Sequence, residues 1–311
     1  MLLALIQMNN NLRFTILILI IAVKAFGQTG EFNYFYHSYL FDSTIISENN
    51  VKRITVIQYM RSNAKDKLFK QNVNHYQFDT ESQLMCSESH YFSKTDSINP
   101  IQQTIDCFEY SDRNIMIRHT RFHDNRDSAE WIQNFSYDFN DNGLISKIIV
   151  TDISVPNNSN ITMKYYDSDN RLIKEVTDYD YLSDYEYDEK GNLIVETSGP
   201  IDRQNIQRNY YDDRGNRIKT VFQGTSDIKE YSRLYDESNR RIRQEVIYRD
   251  GERSYSRYLY SDDLIKTEFL DQDDNLISEE NMIYEGSLIK SILRKSENTI
   301  LYKELFFYEF Y

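Results

Sequence analysis

Apolar and polar residues alternate along this chain in short runs, and each run is stopped by a cluster of Asp, Asn or Gly. A period of two predicts β-strands, and the stops predict the turns between them. The stops are variants of one another: YDSDNRLIKE from Tyr166, YDEKGNLIVE from Tyr187, YDDRGNRIKT from Tyr211 and YDESNRRIRQ from Tyr235. Taking the aromatic residue as position 0, copies start at Phe78, Tyr110, Tyr166, Tyr187, Tyr211, Tyr235 and, with Leu in its place, Leu270. Less regular copies start at Tyr137, Tyr260 and Tyr284. From Tyr187 to Tyr284 the steps are 24, 24, 25 and 24 residues. Spacing that regular marks one supersecondary unit per repeat.

The local chemistry of the repeat specifies a hairpin. Position +4 is Ser82, Asn114, Asn170, Gly191, Gly215, Asn239 and Asp274, small polar residues that tolerate a left-handed backbone. Asp recurs at +1, where its carboxylate can accept from the turn amides. Together they predict a type I turn closed by a residue of positive φ. In that register +1 faces +5, position 0 faces +6 and −1 faces +7. Tyr166 then lies opposite Leu172, Tyr187 opposite Leu193, Tyr211 opposite Arg217 and Tyr235 opposite Arg241. Position +7 is Met or Ile in every copy from Met85 to Ile277, which reads as a packing position on the returning strand. Segments such as RRIRQEVIY mix charged and apolar residues on both faces, so the pattern does not say which face is inside.

About 24 residues hold two strands of roughly six to eight residues and two connections. Ten such units give on the order of 20 strands, about 100 Å across if flat, and a sheet that wide curls. The expected fold is an all-β antiparallel meander of hairpins curled into a spiral or open cylinder, with an irregular barrel as the remaining form. Residues 28–74 break the period and read as an N-terminal β cap. Residues 75–311 read as the repeat domain, with LYKELFFYEFY as its closing strands.

The first 27 residues read as an address. Arg13 precedes the apolar run FTILILIIAV, and Ala25-Phe26-Gly27 offers small residues before a cut at Gln28. The run is too short to span a bilayer, which needs about 20 residues, so no membrane span is expected once the leader is removed. This predicts a secreted or periplasmic protein with a cleaved signal peptide. The formal charge of −13 repels a nucleic acid backbone, which excludes that class of partner. With 26 Tyr and 17 Phe, aromatic mass is plentiful without a deep aliphatic core.

Candidate chemistry is sparse. Cys86 and Cys107 flank a predicted hairpin that brings them near facing positions, and in an exported protein they are disulfide candidates or two buried thiols. His119 and His123 share a metal-binding spacing only on a helix, and IMIRHTRFH reads as strand. Asp138, Asn140, Asn142 and Gly143 imitate half of a calcium loop, but Ile149 stands where its acidic ligand belongs. No metal or cofactor is therefore assigned. No nucleophile elbow, zinc-protease or phosphate-loop motif is present, so no catalytic residue is assigned either.

YDEKGNLIVET and YDDRGNRIKTV resemble the YD repeats of Rhs and teneurin-like proteins, well from about Tyr166 to Val246 and in degraded form on either side. The resemblance implies a spiralling sheet that forms a shell. Proline stands only at 100, 156 and 200, without the family's cleavage region, so a toxin-delivering shell is not expected. The implied function is an exported, non-catalytic binding or scaffold protein of the cell envelope. It would present Tyr166, Tyr187, Tyr211, Tyr235, Arg217 and Arg241 to a protein or polysaccharide. The alternatives are an outer-membrane β-barrel and an enzyme acting on cell-wall polysaccharide.

Overall fold

A computed structural model describes residues 43–61, 67–96, 98–124, 128–155, 158–178, 180–296 and 299–311. The leader expected over 1–27 and the first part of the expected cap lie outside the described residues. A short helix, α1 (Ser43–Glu48), is ended by Asn50 at φ +51°. Twenty strands follow. The first five are β1 (Val51–Met60), β2 (Phe69–Phe78), β3 (Leu84–Phe92), β4 (Pro100–Tyr110) and β5 (Met116–His123). The next five are β6 (Trp131–Phe139), β7 (Ile145–Asp152), β8 (Asn158–Tyr166), β9 (Leu172–Thr177) and β10 (Tyr181–Tyr187). Then come β11 (Leu193–Pro200), β12 (Asn205–Tyr211), β13 (Arg217–Gln223), β14 (Ile228–Tyr235) and β15 (Arg241–Tyr248). The last are β16 (Arg253–Ser261), β17 (Leu264–Leu270), β18 (Leu276–Glu285), β19 (Leu288–Ser296) and β20 (Thr299–Phe310).

Each strand pairs antiparallel with the next, and β1 also pairs with β20 from Val51 opposite Phe310 to Met60 opposite Tyr302. The meander is therefore a closed barrel, which corrects the expected spiral or open cylinder. The physical reason is an edge: a long, flat terminal strand exposes unpaired amides and carbonyls, and β1 and β20 satisfy one another. Twenty tilted strands enclose a cylinder on the order of 40 Å across. Side chains cannot meet across that width, and every substantial strand contact is indeed between neighbours in the ring.

A wall one sheet thick has two wet faces, so burial identifies the concave one, where neighbouring side chains converge. Asn209 and Thr220, paired across β12 and β13, are 3% and 1% exposed, whereas the adjacent Tyr210 is 47% exposed. The position 0 tyrosines from Tyr166 to Tyr235 share the face of Asn209 and look inward. Only two apolar clusters exist among the described residues. The larger packs Ile46 of α1 against Val51, Ile54, Tyr76, Ile292 and Phe306 at the seam where the ring closes. The smaller joins Phe108, Met116 and Phe135.

The hairpins form as the turn chemistry requires. Asp188 N–H donates to Asn192 O at 3.0 Å, and Gly191 N–H donates back to Asp188 O at 3.0 Å. The Asp188 carboxylate accepts from the amides of Lys190 and Asn192. All seven +4 residues have positive φ, Gly191 at +82° and Asn239 at +60° among them. Two details differ from the expected register. Position −1 faces +8, as in Tyr210 opposite Lys219, because +7 is the extra residue of a β-bulge. Position +7 is consequently not a packing position: Ile218 and Ile242 are each 38% exposed on the convex face. The copy read from Tyr137 starts instead at Phe139, opposite Ile145, with Asn140 in the Asp role.

Candidate binding surface inside the barrel

Strand pairing explains why position 0 is Tyr. Within a hairpin the ladder runs to the turn, but between hairpins it stops short: β13 and β14 pair only from Lys219–Ser232 to Val221–Glu230. Near the turns the +6 carbonyl of each returning strand therefore faces no amide. The tyrosine of the next hairpin supplies the donor. Tyr187 Oη–H donates to Leu172 O at 2.8 Å, Tyr211 to Leu193 O at 2.9 Å and Tyr235 to Arg217 O at 3.1 Å. Tyr166 reaches Ile145 O at 2.8 Å, and Tyr110 and Tyr260 reach Leu84 O and Arg241 O. Tyr137, two residues before Phe139, and Tyr308 of the last strand make the same kind of bond to Met116 O and Ile289 O. Burial pushes the Tyr166 hydroxyl up to about 12 and also raises Tyr187 and Tyr211, keeping each a neutral donor. What these rings leave available to a ligand is their faces. The signal for this role was present in sequence: Tyr stands at position 0 in every copy from Tyr166 to Tyr235, and unlike Phe it carries a donor.

The six residues expected to bind lie in one strip of the inner wall, from β8 to β15 at the Asp-turn rim. Tyr166 stands opposite Leu172 and Tyr187 opposite Leu193, while Tyr211 stands opposite Arg217 and Tyr235 opposite Arg241. Arg171 lies 5.2 Å from the Tyr187 ring centre, and Arg241 lies 4.4 Å from that of Tyr258. Arg241 Nη1 also donates to Gln244 Oε1 at 3.0 Å. Between the two expected arginines sits a third, Arg233, which sequence reasoning missed. Its Nη1 donates to Thr220 Oγ1 at 3.0 Å, and its guanidinium lies 5.1 Å from the Tyr231 ring centre. It occupies position −2 of the Tyr235 copy, a site that carries no fixed residue type in the other copies.

A second polar group on the same face was not foreseen. Asp106 of β4 accepts from His119 Nε2 at 2.7 Å and from Arg121 Nε at 2.8 Å. Phe108 stacks on His119 at 4.7 Å, Trp131 meets it edge-on at 4.8 Å, and Trp131 Nε1 donates to Asp152 Oδ2 at 2.7 Å. Burial pushes the Asp106 carboxyl up, but the hydrogen bonds from His119 and Arg121 outweigh it and hold the group below its ordinary range. His119 and His123 both lie on strand β5, with His123 paired to Asp124. Among the described residues no three metal-ligating side chains come together. Cys86 and Cys107 face each other across β3 and β4 and form a disulfide.

The convex face is chemically different. Lys219 pairs with Glu230 at 2.8 Å, Arg253 with Glu245 at 2.9 Å and Lys266 with Glu279 at 2.8 Å, a ladder of ion pairs around the middle of the wall. Above it, near the Asp-turn rim, runs a row of exposed apolar residues that includes Tyr165, Ile173, Tyr210, Ile218, Leu234 and Ile242.

No family model and no curated protein sequence matches the chain. Solved structures do. The crystal structure of TcdB2-TccC3-Cdc42 aligns with 75% of this chain at 12% identity and a TM-score of 0.41. The Photorhabdus luminescens Tc holotoxin pore aligns with 77% at 12% identity and a TM-score of 0.34. This chain spans only 16% of the length of each of those chains. A porin-like protein from Bacteroides uniformis aligns over 83% of this chain and 98% of its own, at 11% identity and a TM-score of 0.37.

Proposed function

We propose that the chain is an exported, non-catalytic binding protein of the cell envelope, built from YD-type hairpins, that holds a polysaccharide against the inner wall of its barrel. The observation that carries this reading is the strip from Tyr166 to Arg241. Ring faces and guanidinium groups there line the inside of a cylinder on the order of 40 Å across at the backbone, wide enough for a polymer chain between the side chains. Tyrosine faces suit sugar rings, and arginines beside them supply directed hydrogen bonds. Export is supported by the leader pattern over residues 1–27 and by the Cys86–Cys107 disulfide, since such bonds persist in oxidising compartments. The test is sedimentation of the chain from Gln28 to Tyr311 with purified sacculi and with insoluble polysaccharides. Retention that soluble oligosaccharide displaces supports the reading. A chain left wholly in the supernatant, or retained but not displaced, sinks it.

The second reading is an outer-membrane β-barrel, favoured by closure of the ring at an even number of strands, 20. The row of exposed apolar residues from Tyr165 to Ile242 lies on the face that would meet lipid. That row is about one residue tall, however, where a lipid-facing band needs about 25 Å. Directly beside it stand Lys219, Glu230 and Arg243. Heat-modifiable migration in a gel together with a requirement for detergent would establish this reading over the first.

A further inference from the structure

We infer that Arg217, Arg233 and Arg241 form an anion site on the inner wall, and that the ligand it takes is an acidic saccharide carrying a carboxylate or a sulfate ester. The inference rests on the lumenal binding reading above and names the chemistry of its ligand.

The three arginines come from neighbouring strands, β13, β14 and β15. Register places them on one face: Arg217 opposite Tyr211, Arg233 opposite Gln244 and Arg241 opposite Tyr235. Their hydrogen-bond partners are neutral, Thr220 Oγ1 for Arg233 and Gln244 Oε1 for Arg241, and none of the three pairs with a carboxylate among the described residues. Basic residues on the other face of β13, β15 and the next strand, β16, behave oppositely. Lys219, Arg243 and Arg253 each hold an acid, Glu230, Asp274 and Glu245. On the inner wall from β12 to β16, the register puts Asn, Gln, Thr, Tyr and Ser beside the arginines and no Asp or Glu. In a chain of 49 acidic residues and formal charge −13, that stretch is a local reversal of sign.

Three like charges converging without a counter-ion repel one another. Burial, then Arg217 and Arg241, lower the Arg233 guanidinium from its ordinary value. An oxyanion placed among them removes that repulsion and accepts paired N–H donors, the geometry in which guanidinium groups bind carboxylate and sulfate. The ring faces of Tyr231 and Tyr258, against which Arg233 and Arg241 already lie, border the site and offer contact to the sugar that bears the anion.

The experiment uses the chain from Gln28 to Tyr311 and titrates it calorimetrically with four probes. These are an oligouronate, a sulfated oligosaccharide of the same length, a neutral oligosaccharide of the same length and inorganic sulfate. The expected result is binding of the oligouronate or the sulfated probe, weakened by added salt and weakened at least about tenfold by Arg233→Gln. Whichever of the two binds more tightly identifies the anion. Arg233→Gln removes a repelled charge, so its melting temperature should equal or exceed that of the parent, and the parent should melt higher with the acidic probe present while the variant does not. Three outcomes overturn the inference: no acidic probe binds, Arg233→Gln binds as the parent does, or inorganic sulfate binds while no saccharide does. Neutral oligosaccharide bound equally by parent and variant removes the anion site but leaves lumenal polysaccharide binding standing. Silence from all four probes removes both.

Discussion

The seam where the ring closes and the sector from β10 to β15 solve the same problem differently. At the seam the strands are long, 10 residues in β1 and β2 and 12 in β20, and they bury an apolar cluster that α1 caps with Ile46. Even an acidic side chain is internal there: Glu304 is fully buried, accepting from Gln58 Nε2 at 2.6 Å and from the Tyr302 hydroxyl. From β10 to β15 the strands have 7 or 8 residues, and Val246 is the one large apolar side chain there that is buried. Tyrosine hydroxyls, Asp turns and cross-strand ion pairs hold that sector instead. A repeat can propagate a wall by polar contacts between neighbours, but closing the wall falls to segments that break the repeat and pack like an ordinary core.

This contrast can be broken most sharply at the seam. Phe306→Ala opens a cavity in the cluster around Ile54 and should cost about 3–5 kcal/mol, read from the denaturant midpoint. The same truncation at the exposed Leu234 should cost less than about 0.5 kcal/mol. Equal losses at the two sites would show that the seam is not the cooperative core. Next in size is reduction of Cys86–Cys107, which closes a loop of 21 residues beside the seam and should lower stability by about 3 kcal/mol on unfolding with and without reductant.

Asp106 probes the polar cluster between the two regions. Its folded value lies below its unfolded one, so its contribution is present above the unfolded value, near pH 4, and disappears as pH falls through the folded value. Asp106→Asn should lose about 2 kcal/mol at pH 7 and flatten the acid limb of the stability curve below pH 4. An unchanged acid limb would remove the claim that His119 and Arg121 hold the carboxylate. The smallest effect belongs to the repeat sector. Tyr211→Phe leaves the Leu193 carbonyl with the Asn209 amide alone and should cost about 1 kcal/mol, with faster amide exchange on the β11–β12 side as the local readout. Tyr211→Ala should cost several times more, because the ring is lost as well.

The hairpins were legible because their determinants are local. Asp188, Lys190, Gly191 and Asn192 bond to one another within a single turn, and the left-handed residue at +4 announces itself by type. The bulge at +7 was not legible, because a position that is Met or Ile in every copy reads as buried whether it fills a core or is set outward as the extra residue. Closure was not legible for a different reason. It depends on Val51 meeting Phe310, a pairing across nearly the whole chain for which no turn speaks. Of the inner surface, the facing of Tyr211 with Arg217 and Tyr235 with Arg241 followed from turn register, whereas Arg233, Asp106 and Trp131 depend on how separate hairpins line up. Which face is inside could not be read from alternation, since both faces of this wall carry charge.

From Tyr166 to Tyr235 the hydroxyl of each position 0 tyrosine reaches backward, to the carbonyl that the preceding hairpin leaves open. Each of these units therefore arrives with the means of joining the one before it and leaves the same vacancy for the one after. Nothing in that exchange counts the units. A second copy of residues 188–211, inserted directly after Tyr211, would bring its own Asp turn and its own latch, and would widen the ring by about one tenth without altering any other register. Girth, in this architecture, is a length of chain between two fixed ends.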